Sequence, residues 1–197
     1  NEGVLENPKV DKIFALHVYP SMDVGKVGFK PGLYMAACDE LYLTIKGKGG
    51  HAALPNAYIN PVTLISKLIT MLESYLESLS DSTSPFVFAF GKLEAEGATN
   101  VIPEFARAAG TLRTMNEQWR STIHKKLKDF VTEFLTSNNA EGQLEIVKGY
   151  PCLNNDEILT ENCIQSAKEY LGSENVELLD IRMTAEDFSF FSQKIFM

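Results

Sequence analysis

DELYLTIKGKGGHAALP, residues 39–55, is the stretch on which the reading of this chain turns. From Asp39 to Lys46 polar and apolar residues alternate, with Leu41, Leu43 and Ile45 on one side, the period of a half-buried strand. Three glycines follow, Gly47, Gly49 and Gly50, which let a backbone turn through positive φ and approach another surface closely. His51 comes next, with the small Ala52 and Ala53 and then Pro55. A strand that hands an imidazole to a glycine-rich loop places it to meet something outside its own core, which suits catalysis. The alternative is an ordinary solvated loop histidine.

Working outward, Asn60-Pro61 offers an N-cap followed by proline at the first helical position, and Ile65, Leu68, Ile69, Leu72 and Leu76 recur at helical spacing. This helix is expected to end in the Ser/Asp/Thr-rich segment 80–84. Two strands follow, Phe86 to Leu93 and Phe105 to Met115, joined by EAEGATNVIP. Asn116-Glu117 opens a second helix with Ile123, Leu127, Phe130, Val131 and Phe134 on one stripe, and Gln143 to Tyr150 reads as a last strand. The order β-α-β-β-α-β is the ferredoxin-like split βαβ arrangement, with both helices on one face of an antiparallel sheet.

The flanks read differently. Lys12 to Val18 (KIFALHV) is nearly continuous in apolar residues, as expected of a strand buried on both faces of an α/β sheet. VGKVGFKPG predicts a short strand closed by a turn. After Pro151, a helix from Asn155 to Leu171 stopped by Gly172 leads to a strand at Val176 to Ile181 and then to AEDFSFF. The expected organisation is therefore an α+β unit at 37–150 inserted into an α/β domain supplied by residues 1–36 and 151–197.

Composition narrows the function classes. The 197 residues carry a formal net charge of -8, with Lys plus Arg 18 against Asp plus Glu 26 and no basic run, which argues against a nucleic-acid surface. No apolar run approaches membrane-spanning length. Cys38, Cys152 and Cys163 are odd in number and lack metal-ligand or redox spacing, so they are expected to be reduced and mostly buried, in keeping with a cytoplasmic location. The chain opens on Asn1 rather than methionine and is expected to be an internal piece of a longer protein, so the lack of a signal peptide says nothing about export.

Other residues could carry chemistry. His17 stands at the end of the apolar 12–18 run, where α/β sheets gather ligands, and reads either as a metal ligand or as a core histidine bonded to a carbonyl. Asn100, in TNVIP, could aim its amide at a ligand or simply form a turn. Arg113, in the strand GTLRT, could clamp a carboxylate or be an ion-paired surface side chain. His124, within HKKLK, is expected to be solvated. Glu186-Asp187 could support a site from behind or supply the acidic first turn of a helix.

Taken in order and spacing, LHVYP, GKGGHAALP, NVIP, GTLRT, GYPCLNND and AEDFS closely resemble the metal-dependent amidohydrolases that include hippurate hydrolase, indole-acetyl-amino-acid hydrolase and N-acyl-diaminopimelate deacetylase. The resemblance starts at EGVLENP and runs over almost the whole chain. It implies that His17 binds one ion of a two-metal centre of zinc or manganese. It implies that His51 reaches across a dimer interface to polarise the scissile carbonyl, that Asn100 and Arg113 hold the substrate, and that 37–150 is the lid or dimerisation domain. The family's Cys-Gly-His and paired-glutamate motifs are expected before Asn1, and a final ligand histidine beyond Met197. Where family members commonly carry histidine and aspartate, this chain has Asn56 and Asn60.

The expected function is thus hydrolysis of the amide bond of an N-acyl amino acid or small peptide-like substrate by a homodimer, with the present chain inactive alone. The rival reading is a non-enzymatic dimerisation or binding module in which His17 is a core residue.

Overall fold

The computed structural model describes residues 3–79 and 84–194. In chain order its elements are β1 (Val27–Phe29), β2 (Gly32–Met35), β3 (Ala37–Lys46), β4 (Gly50–His51), α1 (Pro61–Leu79), β5 (Phe86–Glu94), β6 (Val101–Ile102), β7 (Phe105–Thr114), α2 (Glu117–Ser137), β8 (Glu141–Lys148), β9 (Leu153–Asn155), α3 (Glu157–Leu171), β10 (Val176–Leu178) and α4 (Ser189–Ser192). They fall into two compact units, one of Cys38–Gly149 and one made of the two flanks, up to Ala37 and from Tyr150 onward.

The 38–149 unit is built on a four-stranded sheet in the order β5-β7-β3-β8, with β3 antiparallel to β8 and β5 antiparallel to β7. That order and the two intervening helices are the split βαβ plan. Alternation decides which face is covered. Leu41, Leu43 and Ile45 of β3, Ala106, Ala108 and Leu112 of β7 and Leu144 of β8 pack with Ile65, Leu68, Leu72 and Leu76 of α1 and Ile123, Leu127 and Val131 of α2 in one core. Ile69, Phe130 and Phe134 are half-buried at its margin, and Tyr75 of α1 stacks on Phe130 of α2 at 4.6 Å between ring centroids. The intervening residues of β3 point to the opposite face, where Glu40 and Tyr42 are exposed.

The helix starts follow from local chemistry. Asn60 Oδ1 accepts from the Val62 amide at 3.0 Å, and Pro61 occupies the first helical position, where its missing N–H costs nothing. Asn116 Oδ1 accepts from the Trp119 amide at 2.9 Å to start α2. Where α1 was expected to give way to the polar 80–84 segment, residues 80–83 lie outside the described residues. Between Phe90 and Lys92 the β5–β7 register shifts, so Gly91 forms a bulge, the usual way an edge strand accommodates an extra residue.

In the flanking unit β1 runs parallel to β10 and β2 antiparallel to β9. The helix α3 is capped by Asp156, whose Oδ1 accepts from the Leu159 amide at 2.6 Å, one residue later than the expected Asn155. Gly172 terminates it at φ 90°, the left-handed region that glycine tolerates. The expected strand at 12–18 does not form. Residues 12–18 have no regular structure, and Leu16 and Val18 are 91% and 94% exposed. A strand exists only by pairing its backbone, and no other segment among the described residues pairs with this one. Cys38, Cys152 and Cys163 are free thiols but only half-buried, short of the expected burial. Among the described residues no helix is long and apolar enough to cross a membrane.

Candidate active site

Two short strands set the position of His51. In β4 and β6, Gly50 pairs with Ile102 and His51 with Val101, and the Ala52 amide donates to the Asn100 carbonyl at 3.0 Å. Lys48 and Ile59 exchange both backbone hydrogen bonds at 2.9 Å, and the Gly47 amide donates to the Glu104 carbonyl at 2.8 Å. The glycines are needed for this crowding and not for positive φ, which none of Gly47, Gly49 and Gly50 adopts. A Cβ on Gly47 would lie 2.2 Å from the Ile59 carbonyl oxygen, and one on Gly49 2.9 Å from that of Ile102. Both distances are closer than a carbon can come, so glycine there is a packing requirement.

The imidazole itself is exposed but held. The Ala53 backbone amide donates to His51 Nδ1 at 3.1 Å. An amide can only donate, so this bond requires an unprotonated Nδ1 and puts the proton of the neutral ring on Nε2. His51 therefore presents an N–H donor to solvent from a loop that is hydrogen-bonded on both sides. Asn100 sits beside it, in a tight turn closed by reciprocal Ala98–Val101 backbone bonds of 3.0 and 3.1 Å, with an exposed side chain.

Arg113 lies on β7 opposite Val87 and is half-buried. Its neighbours Leu112 and Thr114 are buried on the helix side, so alternation puts Arg113 on the helix-free face of the sheet. His17 belongs to the flanking unit. It is an exposed residue on an irregular segment, where the sequence led us to expect the end of a buried strand or a core position, and its Nε2 meets Glu186 Oε2 at 2.5 Å. Glu186 is held below the ordinary carboxylate range, first by the Phe188 amide that donates to its Oε1 at 3.1 Å and further by the hydrogen bond with His17. Glu186 thus braces a histidine, in the way carboxylates orient metal-binding imidazoles. Among the described residues no three His, Cys, Asp or Glu side chains converge on one point, so they offer the His17–Glu186 pair and not a complete metal centre.

One cluster escaped the sequence reading. Asp39, 1% exposed, receives Arg120 Nε at 2.9 Å and Arg120 Nη2 at 2.5 Å, and lies 2.6 Å from His124 Nε2. Arg120 is fully buried and also donates to Glu117 at 3.0 and 3.1 Å. His124 is thus a hydrogen-bond partner of Asp39 with a side chain 19% exposed, not the solvated residue expected. Burial alone would raise the Asp39 pKa, but hydrogen bonds from His124 and Arg120 outweigh it and bring it down to about 2. The signal was present in the pattern. Extending the β3 alternation back from Leu41 points Asp39 inward, and extending the α2 stripe back from Ile123 points Arg120 inward, so opposite charges fall on facing core positions.

An α/β chain with an inserted ferredoxin-like unit, bearing a braced loop imidazole, is the class that fold and site define. The family model described as "Peptidase dimerisation domain" (M20_dimer) matches residues 39–138, and the chain belongs to this M20 family. It is 32% identical over 185 residues to N-acetyldiaminopimelate deacetylase of Brevibacillus brevis, covering 94% of this chain and 49% of that protein. It is 32% identical over 197 residues to IAA-amino acid hydrolase ILR1-like 4 of Arabidopsis thaliana, covering 98% and 44%. The chain thus spans about half the length of the relatives it matches. Among solved structures, a Bacillus subtilis protein described as a dinuclear metal binding peptidase from the M20 family has a TM-score of 0.70 at 24% identity, over 91% of this chain and 44% of that one, a likeness of fold.

Proposed function

We propose that the complete protein is a metal-dependent amidohydrolase that cleaves the amide bond of N-acyl amino acids or small peptide-like substrates, and that the 38–149 unit is its lid and dimerisation domain. The observation that carries this reading is the Ala53 amide on His51 Nδ1, which leaves the N–H at Nε2 of an exposed residue. Such a donor strengthens its bond to a carbonyl oxygen as that oxygen gains charge in the transition state, and so lowers the barrier without giving up a proton. Asn100, fixed to the same loop, is the neighbouring donor to the substrate. Arg113 supplies a guanidinium able to grip the carboxylate of the amino-acid product with two parallel hydrogen bonds. In the homodimer His51 serves the site of the partner subunit.

His17, braced by Glu186, is proposed as one ligand of a centre of two divalent cations, zinc or manganese, whose other ligands come from outside this chain. When bound, such ions supply a nucleophilic water at neutral pH and polarise the carbonyl. The names of the relatives, a deacetylase of an N-acetylated amino acid and an amino-acid conjugate hydrolase, support the substrate class. The experiment is turnover of a panel of N-acyl amino acids and dipeptides by the full-length protein. We expect hydrolysis that a chelator abolishes and zinc or manganese restores; turnover indifferent to chelation, or none across the panel, would overturn the reading.

A further inference from the structure

The chain passes between its two units twice, at Ala37/Cys38 and at Gly149/Tyr150. Within the 38–149 unit these two exits lie side by side. The Gly149 amide donates to the Cys38 carbonyl at 3.1 Å and to Asp39 Oδ1 at 3.2 Å. One side chain closes the arrangement: Arg120 Nη2 reaches Asp39 Oδ1, the Cys38 carbonyl at 3.3 Å and the Gly149 carbonyl at 3.4 Å, while its Nε holds the other oxygen of Asp39. Arg120 is itself rooted on α2 and gripped by Glu117 one turn earlier. The approach is close enough that a Cβ on Gly149 would lie 2.5 Å from the Cys38 carbonyl oxygen.

We propose that Arg120 is a positioning residue which joins the two exits into one rigid stem and so fixes the spacing and direction in which the chain leaves the 38–149 unit at Cys38 and Gly149. A planar guanidinium bonded at once to a carboxylate, to a backbone carbonyl of β3 and to the carbonyl just past the end of β8 fixes their spacing and their rotation, which neither ladder end could do alone. A general role in stability would need only the ion pair. The two carbonyl contacts, made to the residues at the exits, are what a stem requires. The proposal concerns the stem and not the reaction, so it stands or falls independently of the amidohydrolase reading.

The test uses the full-length protein with spin labels on cysteines introduced at Lys126 and Tyr170, both exposed and one in each unit, in a background without native cysteines. The double variant Asp39→Asn with Arg120→Met removes both charges together and so leaves no orphaned ion in the core. With circular dichroism unchanged, we expect the label-to-label distance distribution to broaden about twofold or more, and exchange of the Gly149 amide to speed up about tenfold while that of α1 stays the same, as local opening requires. Should the double variant not fold, Arg120→Lys, which keeps the charge but loses the fork, is read in the same way. An unchanged distribution in a folded variant would overturn the proposal. So would loss of folding in both, because the network would then hold the unit as a whole.

Discussion

His51 and Asp39 show opposite ways in which one side chain can matter. His51 is exposed on a loop, and its value lies in orientation, since the Ala53 amide dictates which nitrogen bears the proton. In the full-length protein His51→Ala is expected to lower kcat by about a hundredfold or more, the usual loss on removing one oxyanion donor. Fold and metal content should stay unchanged, as circular dichroism and metal analysis would show; normal kcat would remove His51 from the site. Asp39 is buried, and its value lies in charge pairing. Its folded pKa of about 2 lies below the ordinary 3.8, so the group stabilises the fold above pH 3.8 and loses that contribution as pH falls toward 2. The shift corresponds to roughly 2 kcal/mol. Urea denaturation followed from pH 5 to pH 2 should show this loss. Asp39→Asn should be less stable at pH 5 and flatter below it, and parallel pH curves for the two proteins would contradict the assignment.

Among the elements, the β4–β6 corner carries the greatest constraint in the fewest residues. Gly47→Ala would drive a methyl group into the Ile59 carbonyl, 2.2 Å away, and must displace the strand that carries His51. We expect about a hundredfold loss of kcat from a shift of this size in a catalytic group. The Lys48 and Ile59 amides should exchange faster, because each is held by the other's carbonyl. Retained activity would show that the loop can rearrange around a side chain. The helices obey a different economy. α1 and α2 were legible because a 3.6-residue stripe and an asparagine cap are local signals that agree with each other. The 12–18 run was misread because strand formation is not local. Continuous apolar character says that a segment would be buried if it had a sheet to join, and among the described residues it has none.

At the scale of the whole molecule, a ferredoxin-like sheet leaves two edges, β5 and β8, with unpaired backbone groups. Together with membership of a dimerisation-domain family, this predicts a two-fold pair. Light scattering of the chain at tens of micromolar, roughly the weak end of specific association, should give twice the monomer mass, and a strict monomer would count against it. The purified chain alone is expected to turn over no N-acyl amino acid. A catalytic zinc takes about three protein ligands, and the described residues bring no three donors together. Chelator-sensitive hydrolysis by the chain itself would refute both this expectation and the proposed placement of the missing ligands.

What the sequence determined by itself was whatever short-range periodicity encodes: the βαββαβ order, the capped helices, the core stripe and the glycine-bounded histidine. Its glycines marked the loop correctly through the close approach they allow, and not through the positive φ also expected of them. Only the tertiary structure decided that Gly47 faces a carbonyl from twelve residues on, that His51 is held by the Ala53 amide, and that His17 leans on Glu186 across 169 positions of chain. It alone joined Asp39 to Arg120 and His124, 81 and 85 residues away. Each of these depends on the angle and distance at which separate elements meet, and those follow from packing the whole core, which no local pattern of residues specifies.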